Sequence, residues 1–298
     1  MPVHTIKNSM TFFVTGATGN QGGAVARCLI QRGGKVKALV RDPESARAQT
    51  LKKSNVELVH GDLNKVDSLR DHVKGADAIF CVLTFDHGIK KEITQGTNLA
   101  NLAKECNVKH FVYSSVVGAD LHTGIPHWES KFKIENHIRQ IGLPFTIIRP
   151  AVFYENFLIP QVKSRIVKGR LPSPVNKDKI QQFISTDDIG KIASAILMNP
   201  GKHIGNTLTI AAEQMDMQQA AAAFSEVLSK EVKYQKLPGL ITRLVMGKDL
   251  YTMFRWVNEN NAVFVDDLDA FRKEYPDMMA LKEWIRVNFG NRSGLKPI

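Results

Sequence analysis

The chain has 298 residues, which allows one large domain or two interleaved ones. Hydrophobic residues make up 43% and charged residues 23%, ordinary globular usage that excludes a disordered, collagen-like or coiled-coil chain. Lysine and arginine total 40 against 29 aspartates and glutamates, and the net charge of +11 favours an anionic ligand or partner.

From Met10 the sequence alternates between strand and helix patterns. Thr11–Thr15 is a short apolar run that stops at glycine. Residues 20–32 place Ala24, Ala26, Leu29 and Ile30 on one side of a helix, and Gly33-Gly34 closes it because glycine accepts a left-handed cap. Lys35–Val40 is the second strand. Asp42-Pro43-Glu44 is expected to open the second helix: aspartate caps, proline suits the first turn and glutamate complements the helix dipole. Val56–Val59 is the third strand, followed by Gly61-Asp62-Leu63 and a helix over 65–73. Ala78–Leu83 is continuously apolar, as expected of a strand covered on both faces. A helix over 89–106, a strand at His110–Ser114, a helix over 130–141 and a strand at Pro144–Ile148 complete the series. Six strands separated by helices predict an α/β fold, a Rossmann-type doubly wound parallel sheet with right-handed crossovers.

The texture changes after Pro150. Residues 154–180 hold Pro160, Gly169, Pro172 and Pro174 among many basic residues, which predicts a loop-rich lobe over the strand ends. Phe183–Asp188 reads as a strand and a capped helix running to Met198, and Thr207–Ile210 and a helix over 217–229 follow. The last 60 residues read as helical, with Met253, Phe254, Trp256, Phe271, Leu281, Trp284 and Ile285 as core. The expected division is a Rossmann domain over 1–152 and a mixed segment over 153–298. That segment completes the sheet and forms a smaller, mainly helical C-terminal lobe for substrate or partner.

Several classes are set aside. Cys28, Cys81 and Cys106 are scattered and form no CxxC, so no metal site or disulfide scaffold is expected and a reducing compartment fits best. The first residues lack the apolar segment of a signal peptide, and no apolar run nears the ~18 residues of a membrane span. The chain is therefore expected to be cytoplasmic, with nuclear entry left open although no clear basic localisation run is present. Short basic clusters such as Lys52-Lys53 and Lys90-Lys91 read as solvated faces, so direct nucleic-acid binding is not expected.

Gly16, Ala17, Thr18, Gly19, Asn20, Gln21 and Gly22 form a GxxGxxG turn between the first strand and the first helix. In that context the glycines let backbone approach a pyrophosphate, and the helix N-terminus meets the anion. The end of the second strand selects the cofactor. An acid there bonds the ribose 2′-hydroxyl of NAD, but Arg41 stands 19 residues after Gly22. Its guanidinium can fork onto a 2′-phosphate, so the expected cofactor is NADP(H). Asp42 beside it could play the acid role, but its place before Pro43 suits a helix cap better. Asp62, after the third strand, lies where adenine would sit, or else caps a helix.

The motifs GATGNQGGAVA, VRDP, GDL, YSSV, HWESKFKIENHIRQIGLPFTIIRP and FYENF together resemble the NmrA-like family, a branch of atypical short-chain dehydrogenase/reductases. The likeness covers nearly the whole chain and extends to Asp249–Arg255. It implies NADP(H) contacts at Gly16 to Gln21, Arg41, Asp62 and Leu63, Thr84 and Phe85, Lys131, and Phe153, Tyr154, Glu155 and Asn156. Active short-chain dehydrogenases use YxxxK, in which lysine holds the ribose and tyrosine exchanges a proton with the carbonyl. Here Lys131 is preceded by His127, so the usual proton donor is missing.

His127 and Lys131 are the candidate catalytic pair, since histidine can donate a proton near neutral pH. Tyr113 and Tyr154 lack the spacing, and Ser114 and Ser115 lie near where the resemblance places a third catalytic hydroxyl or else cap the following loop. Two readings follow. One is an NADP(H)-binding redox sensor or regulator acting on a partner protein. The other is an NADPH-dependent reductase of a small carbonyl or quinone substrate. A homodimer is compatible with either.

Overall fold

The computed structural model describes residues 9–290. Strand β1 (Thr11–Val14) ends at Gly16, whose φ of +62° turns the chain toward α1 (Asn20–Gln31). The alternation continues through β2 (Lys35–Val40), α2 (Ala46–Lys53), β3 (Glu57–His60), a 3₁₀ turn (Val66–Leu69), α3 (Arg70–Lys74), β4 (Ala78–Val82), α4 (Ile89–Glu105), β5 (His110–Ser114), α5 (Pro126–Gln140) and β6 (Phe145–Pro150). Then come β7 (Val152–Phe153), a 3₁₀ turn (Tyr154–Leu158), α6 (Pro160–Val167), β8 (Arg170–Ser173), β9 (Gln181–Ile184), α7 (Thr186–Met198), β10 (Thr207–Ile210) and β11 (Glu213–Met215). The chain closes with α8 (Met217–Leu228), β12 (Lys233–Lys236), α9 (Gly239–Glu259), α10 (Leu268–Glu274) and α11 (Leu281–Phe289).

Seven strands form one sheet in the order β10-β6-β5-β4-β1-β2-β3. The pairs from β3 through to β6 are all parallel. The order runs outward from β1 to β3, then crosses back to β4 on the other side of β1. That reversal opens a crevice at the carboxyl ends of β1 and β4, the place where ligands bind in open α/β sheets. The fold is thus the Rossmann-type doubly wound sheet expected from the alternation.

The chain divides into two compact units. One runs up to His122 and includes Pro126–Arg149 and Ile189–Leu208; the other holds Thr123–Ile125, Pro150–Asp188 and the chain from Thr209. In the first unit, Phe13, Ile79, Cys81, Leu99, Phe111, Tyr113, Ile134 and Ile147 share one core. Burial of β4 and β5 explains their unbroken apolar sequence. The second unit packs Tyr154, Phe157, Phe183, Phe224, Trp284 and Ile285 together, with two small sheets (β11-β9-β7 and β12-β8) beside its helices.

Four local expectations change. Helix α2 begins at Ala46, not at Asp42-Pro43-Glu44, because Ser45 caps it by accepting from the Ala48 N–H at 3.4 Å. Asp42 instead folds a turn, accepting from the Glu44 N–H at 2.9 Å. Helix α5 begins at Pro126, four residues before the expected 130, so His127 and Lys131 lie on one helix. Residues 154–180 are not mainly loop: Pro160 opens α6 at its first turn, where no N–H is needed, and Pro172 lies within β8. Met253, Phe254, Trp256 and Phe271 are only half-buried, whereas Leu281, Trp284 and Ile285 are core. Helix α9 breaks at Gly247 (φ 82°, ψ 170°) and leaves Leu244 and Val245 each 77% exposed.

A buried ion network fixes α5 to the sheet. The Glu135 carboxylate accepts from Arg149 Nε at 2.9 Å and Nη2 at 2.6 Å, from Arg139 Nη2 at 2.9 Å and from Ser115 Oγ at 2.5 Å. Arg149 also pairs with Asp120 at 2.6 Å. Removing one member of such a network strands the others in low dielectric. Glu135→Ala is therefore expected to cost about 3–5 kcal/mol of stability, read from chemical denaturation. Glu135→Gln, which keeps the side-chain volume and one acceptor oxygen, should cost less; a wild-type midpoint for Glu135→Ala would show that the network contributes nothing.

Candidate functional site

The turn from β1 to α1 is built by close contact. A Cβ at Gly22 would lie 2.5 Å from the backbone of Gly16 and Thr15, so only glycine lets the helix begin there. Thr15 locks the strand end: its Oγ1 donates to the Val82 carbonyl at 2.8 Å and accepts from the Val82 N–H at 2.9 Å. Gly19 is the N-cap of α1, and no side chain caps that helix. Its first turn holds no acidic residue. The N–H groups of the first turn and the positive end of the helix therefore suit an anion. Ala17 is buried, Thr18 half-buried, and Gly19 and Asn20 exposed. Gln21 is anchored inward, its Oε1 accepting from Ser114 Oγ at 2.7 Å.

Arg41 is exposed at the carboxyl end of β2, beside this turn in the sheet. Its Nη1 lies 2.9 Å from His87 Nε2, in the loop after β4. A second cation, Arg47 on α2, reaches the Thr18 carbonyl at 3.5 Å. Neither His87 nor Arg47 was singled out from the sequence. Arg47 had a signal in retrospect, as a basic residue in the first turn of the helix that follows β2. His87 had none.

The loop after β4 is shaped locally. Thr84 Oγ1 accepts from the Asp86 N–H at 3.2 Å, and the Gly88 N–H donates to the Phe85 carbonyl at 2.8 Å. Phe85 stacks on the His127 ring, with centroids 4.7 Å apart and planes at 22°. His127 and Lys131 are one helical turn apart on α5 and both are buried, at 5% and 8% exposure. The Lys131 Nζ donates to Glu92 Oε1 at 2.8 Å and lies 3.5 Å from the Leu83 carbonyl. Glu92 is fully buried and also accepts from Ser130 Oγ at 2.5 Å. This glutamate, missed in the sequence, sits on α4 and holds the candidate lysine at the carboxyl edge of β4.

The tyrosine near this edge, Tyr113, is a poor proton carrier. Tyr113 is fully buried with an unpartnered hydroxyl, and burial pushes its pKa well above the usual phenol range. Lys131 Nζ lies 6.0 Å from the centre of that ring. Cys81 is buried beside it and its thiol is pushed up to about 12 by burial. Ser114 and Ser115 are committed to Gln21 and Glu135.

Asp62 is exposed after β3 and accepts from both the backbone N–H and side-chain amide of Asn64, at 2.9 and 2.5 Å. The backbone hydrogen bond lowers its carboxyl pKa. It shapes an Asx turn rather than capping a helix; Lys65 precedes the 3₁₀ turn. Leu63 is buried in the first unit's core.

Gly16–Gly22, Arg41, Asp62, Leu63, Thr84, Phe85, His127 and Lys131 thus belong to the first unit, whereas Phe153–Asn156 belong to the second. Within that unit Tyr154 is fully buried and its hydroxyl donates to Glu213 Oε2 at 2.9 Å. The Glu155 carboxylate accepts from the Thr186 N–H at 3.1 Å and Trp284 Nε1 at 3.2 Å, and burial raises its pKa. Phe153 is half-buried and Asn156 exposed. Among the described residues no cluster of His, Cys, Asp and Glu is arranged to hold a metal. No described helix is long and apolar enough to cross a membrane.

An NmrA-like family domain-containing protein of Dictyostelium discoideum is 31% identical over 76% of this chain and 80% of its own. The NmrA-like family domain-containing oxidoreductase malD of Malbranchea aurantiaca is 31% identical over 97% of this chain and 98% of its own. The crystal structure of NmrA, a negative transcriptional regulator, in complex with NADP superposes with a TM-score of 0.78 at 24% identity, covering 96% of this chain and 98% of that one. The model of the NmrA-like family matches residues 8–285, and the chain belongs to that family.

Proposed function

We propose that this protein is an NADP(H)-binding regulator, a redox sensor that responds to the NADPH/NADP state with little or no dehydrogenase activity of its own. The glycine turn at 16–22 fits a pyrophosphate, because Gly22 lets the helix sit directly against the strand end and no side chain caps the helix's first N–H groups. Arg41 would take the 2′-phosphate, Asp62 and Leu63 the adenine side, and Thr84 and Phe85 the loop contact. Lys131 would meet the ribose. Crystal structures of NmrA in complex with NADP and with NAD support a nicotinamide dinucleotide, and Arg41 carries the choice of the phosphorylated one.

One observation carries the regulatory reading: no hydroxyl stands one helical turn before Lys131. The residue there is His127, stacked on Phe85, while the Tyr113 hydroxyl is sealed in the core. Bound NADPH supplies a hydride, and a carbonyl that accepts one also needs a proton. Without a tyrosine, the chain holds its dinucleotide and passes its state to a partner protein. The turn at Thr84–Gly88, which touches both Arg41 and His127 through its side chains, is the segment best placed to report that state.

A second reading is favoured by a separate observation. His127 and Lys131 share one face of α5, and malD, an oxidoreductase, aligns over nearly the whole chain. In that reading the protein is an NADPH-dependent reductase of a small carbonyl or quinone, and the His127 imidazole holds the proton and releases it to the substrate oxygen.

Titration with NADPH, NADP⁺, NADH and NAD⁺, followed by 340 nm absorbance with quinones and aldehydes, separates the two. The proposal expects tight binding of the phosphorylated dinucleotides and no turnover; steady oxidation of NADPH with one substrate class replaces it with the reductase. Gly19→Val places a branched side chain where a Cβ meets only the Gly16 carbonyl, at 3.3 Å. It is expected to abolish NADPH binding while circular dichroism stays native, and a variant that still binds would reduce the turn to a structural feature. If turnover is found, His127→Ala is expected to remove it without weakening NADPH binding. Unchanged turnover would exclude the imidazole as the proton source.

A further inference from the structure

The contact between Arg41 and His87 joins two loops that are not neighbours in the sheet. Strand β1 lies between β2 and β4, so a hydrogen bond from the end of β2 to the loop after β4 spans the carboxyl end of β1. This is where the glycine turn begins. Guanidinium has no acceptor, so Arg41 is the donor and His87 accepts at Nε2, with its own proton on Nδ1. Both side chains are exposed. A free arginine there samples many rotamers, and fixing one on binding costs entropy. The neighbouring Asp42 folds a turn, its Oδ1 accepting from the Glu44 N–H at 2.9 Å. His87 itself sits in a turn closed by the Gly88 N–H on the Phe85 carbonyl.

We infer that His87 is a positioning residue for dinucleotide selectivity. By accepting from one Nη1 hydrogen it holds the Arg41 guanidinium across the turn, leaving the other donors of the fork for a 2′-phosphate. The selectivity for a phosphorylated dinucleotide then depends on a residue that acts through Arg41. This rests on the assignment of the 2′-phosphate to Arg41 and adds the group that orients it.

The test is calorimetric titration of NADPH and NADH into wild type, His87→Ala, His87→Gln, Arg41→Ala and the double variant Arg41→Ala/His87→Ala. His87→Ala is expected to weaken NADPH about five- to tenfold, the loss of one orienting hydrogen bond, and to change NADH less than about twofold. His87→Gln, whose amide oxygen can accept, should restore most of the loss. The double variant should bind NADPH no worse than Arg41→Ala alone, because His87 acts only through that side chain. If Arg41→Ala weakens NADPH but His87→Ala leaves it unchanged or tighter, the positioning role is overturned and the 2′-phosphate assignment stands. If Arg41→Ala leaves NADPH unchanged, the assignment and the inference fall together. Equal losses for NADPH and NADH in His87→Ala would reduce His87 to a structural residue.

Discussion

How closely α1 is seated on the end of β1 governs the rest of the sheet edge. At Gly22 the helix touches the backbone of Gly16 and Thr15, with no room for a Cβ. Gly19 at the N-cap carries no side chain, so no side chain caps the first N–H groups of the helix. The turn also brings Gln21 to Ser114, at the end of a strand two places away. Thr15 completes the arrangement by satisfying both backbone groups of Val82 with one hydroxyl. An anion site therefore arises from backbone geometry before any charged side chain is added.

The second determinant is electrostatic. Burying a carboxylate and an ammonium together costs several kcal/mol in lost hydration, recovered only when the pair is close and its remaining positions are hydrogen-bonded. Glu92 meets both conditions, with Lys131 at 2.8 Å on one oxygen and Ser130 on the other. The Glu135 network does the same further along α5, tying it to Ser115, Arg139 and Arg149. Two buried carboxylates thus pin one helix at two levels, one turn beyond each other along its length from Ser130 to Glu135. Pairs of this kind are weak evidence for net stability, but they fix the helix register, and the register sets where His127 and Lys131 stand.

What the sequence made legible follows from local physics. The glycine turn, Arg41 at a strand end and the unbroken apolar strands are encoded within a few residues of where they act. The start of α2 was misread because Asp42-Pro43-Glu44 and Ser45 both carry capping chemistry, and the turn made by Asp42 leaves the cap to Ser45. Residues 154–180 looked like loop because prolines there suit a first helical turn and a two-stranded sheet. Glu92 and His87 were invisible for a different reason. Their partners lie 39 and 46 residues away, and nothing in their own neighbourhood distinguishes them from a solvated helix and an ordinary loop.

The two chemical parts of the edge differ in how they can be lost. Holding phosphate rests on backbone donors and a helix terminus, which no single side-chain replacement outside the glycines removes. In the YxxxK pattern proton transfer rests on one side chain at one helical position. Histidine at 127 therefore takes away the hydroxyl and leaves the backbone cradle as it was. The replacement also makes a new link, since the imidazole stacks on Phe85 with its plane only 22° away. Phe85 and His87 share one hydrogen-bonded turn, and His87 meets Arg41. Arg41, His87, Phe85 and His127 thereby form one line of contacts from the end of β2 to the face of α5.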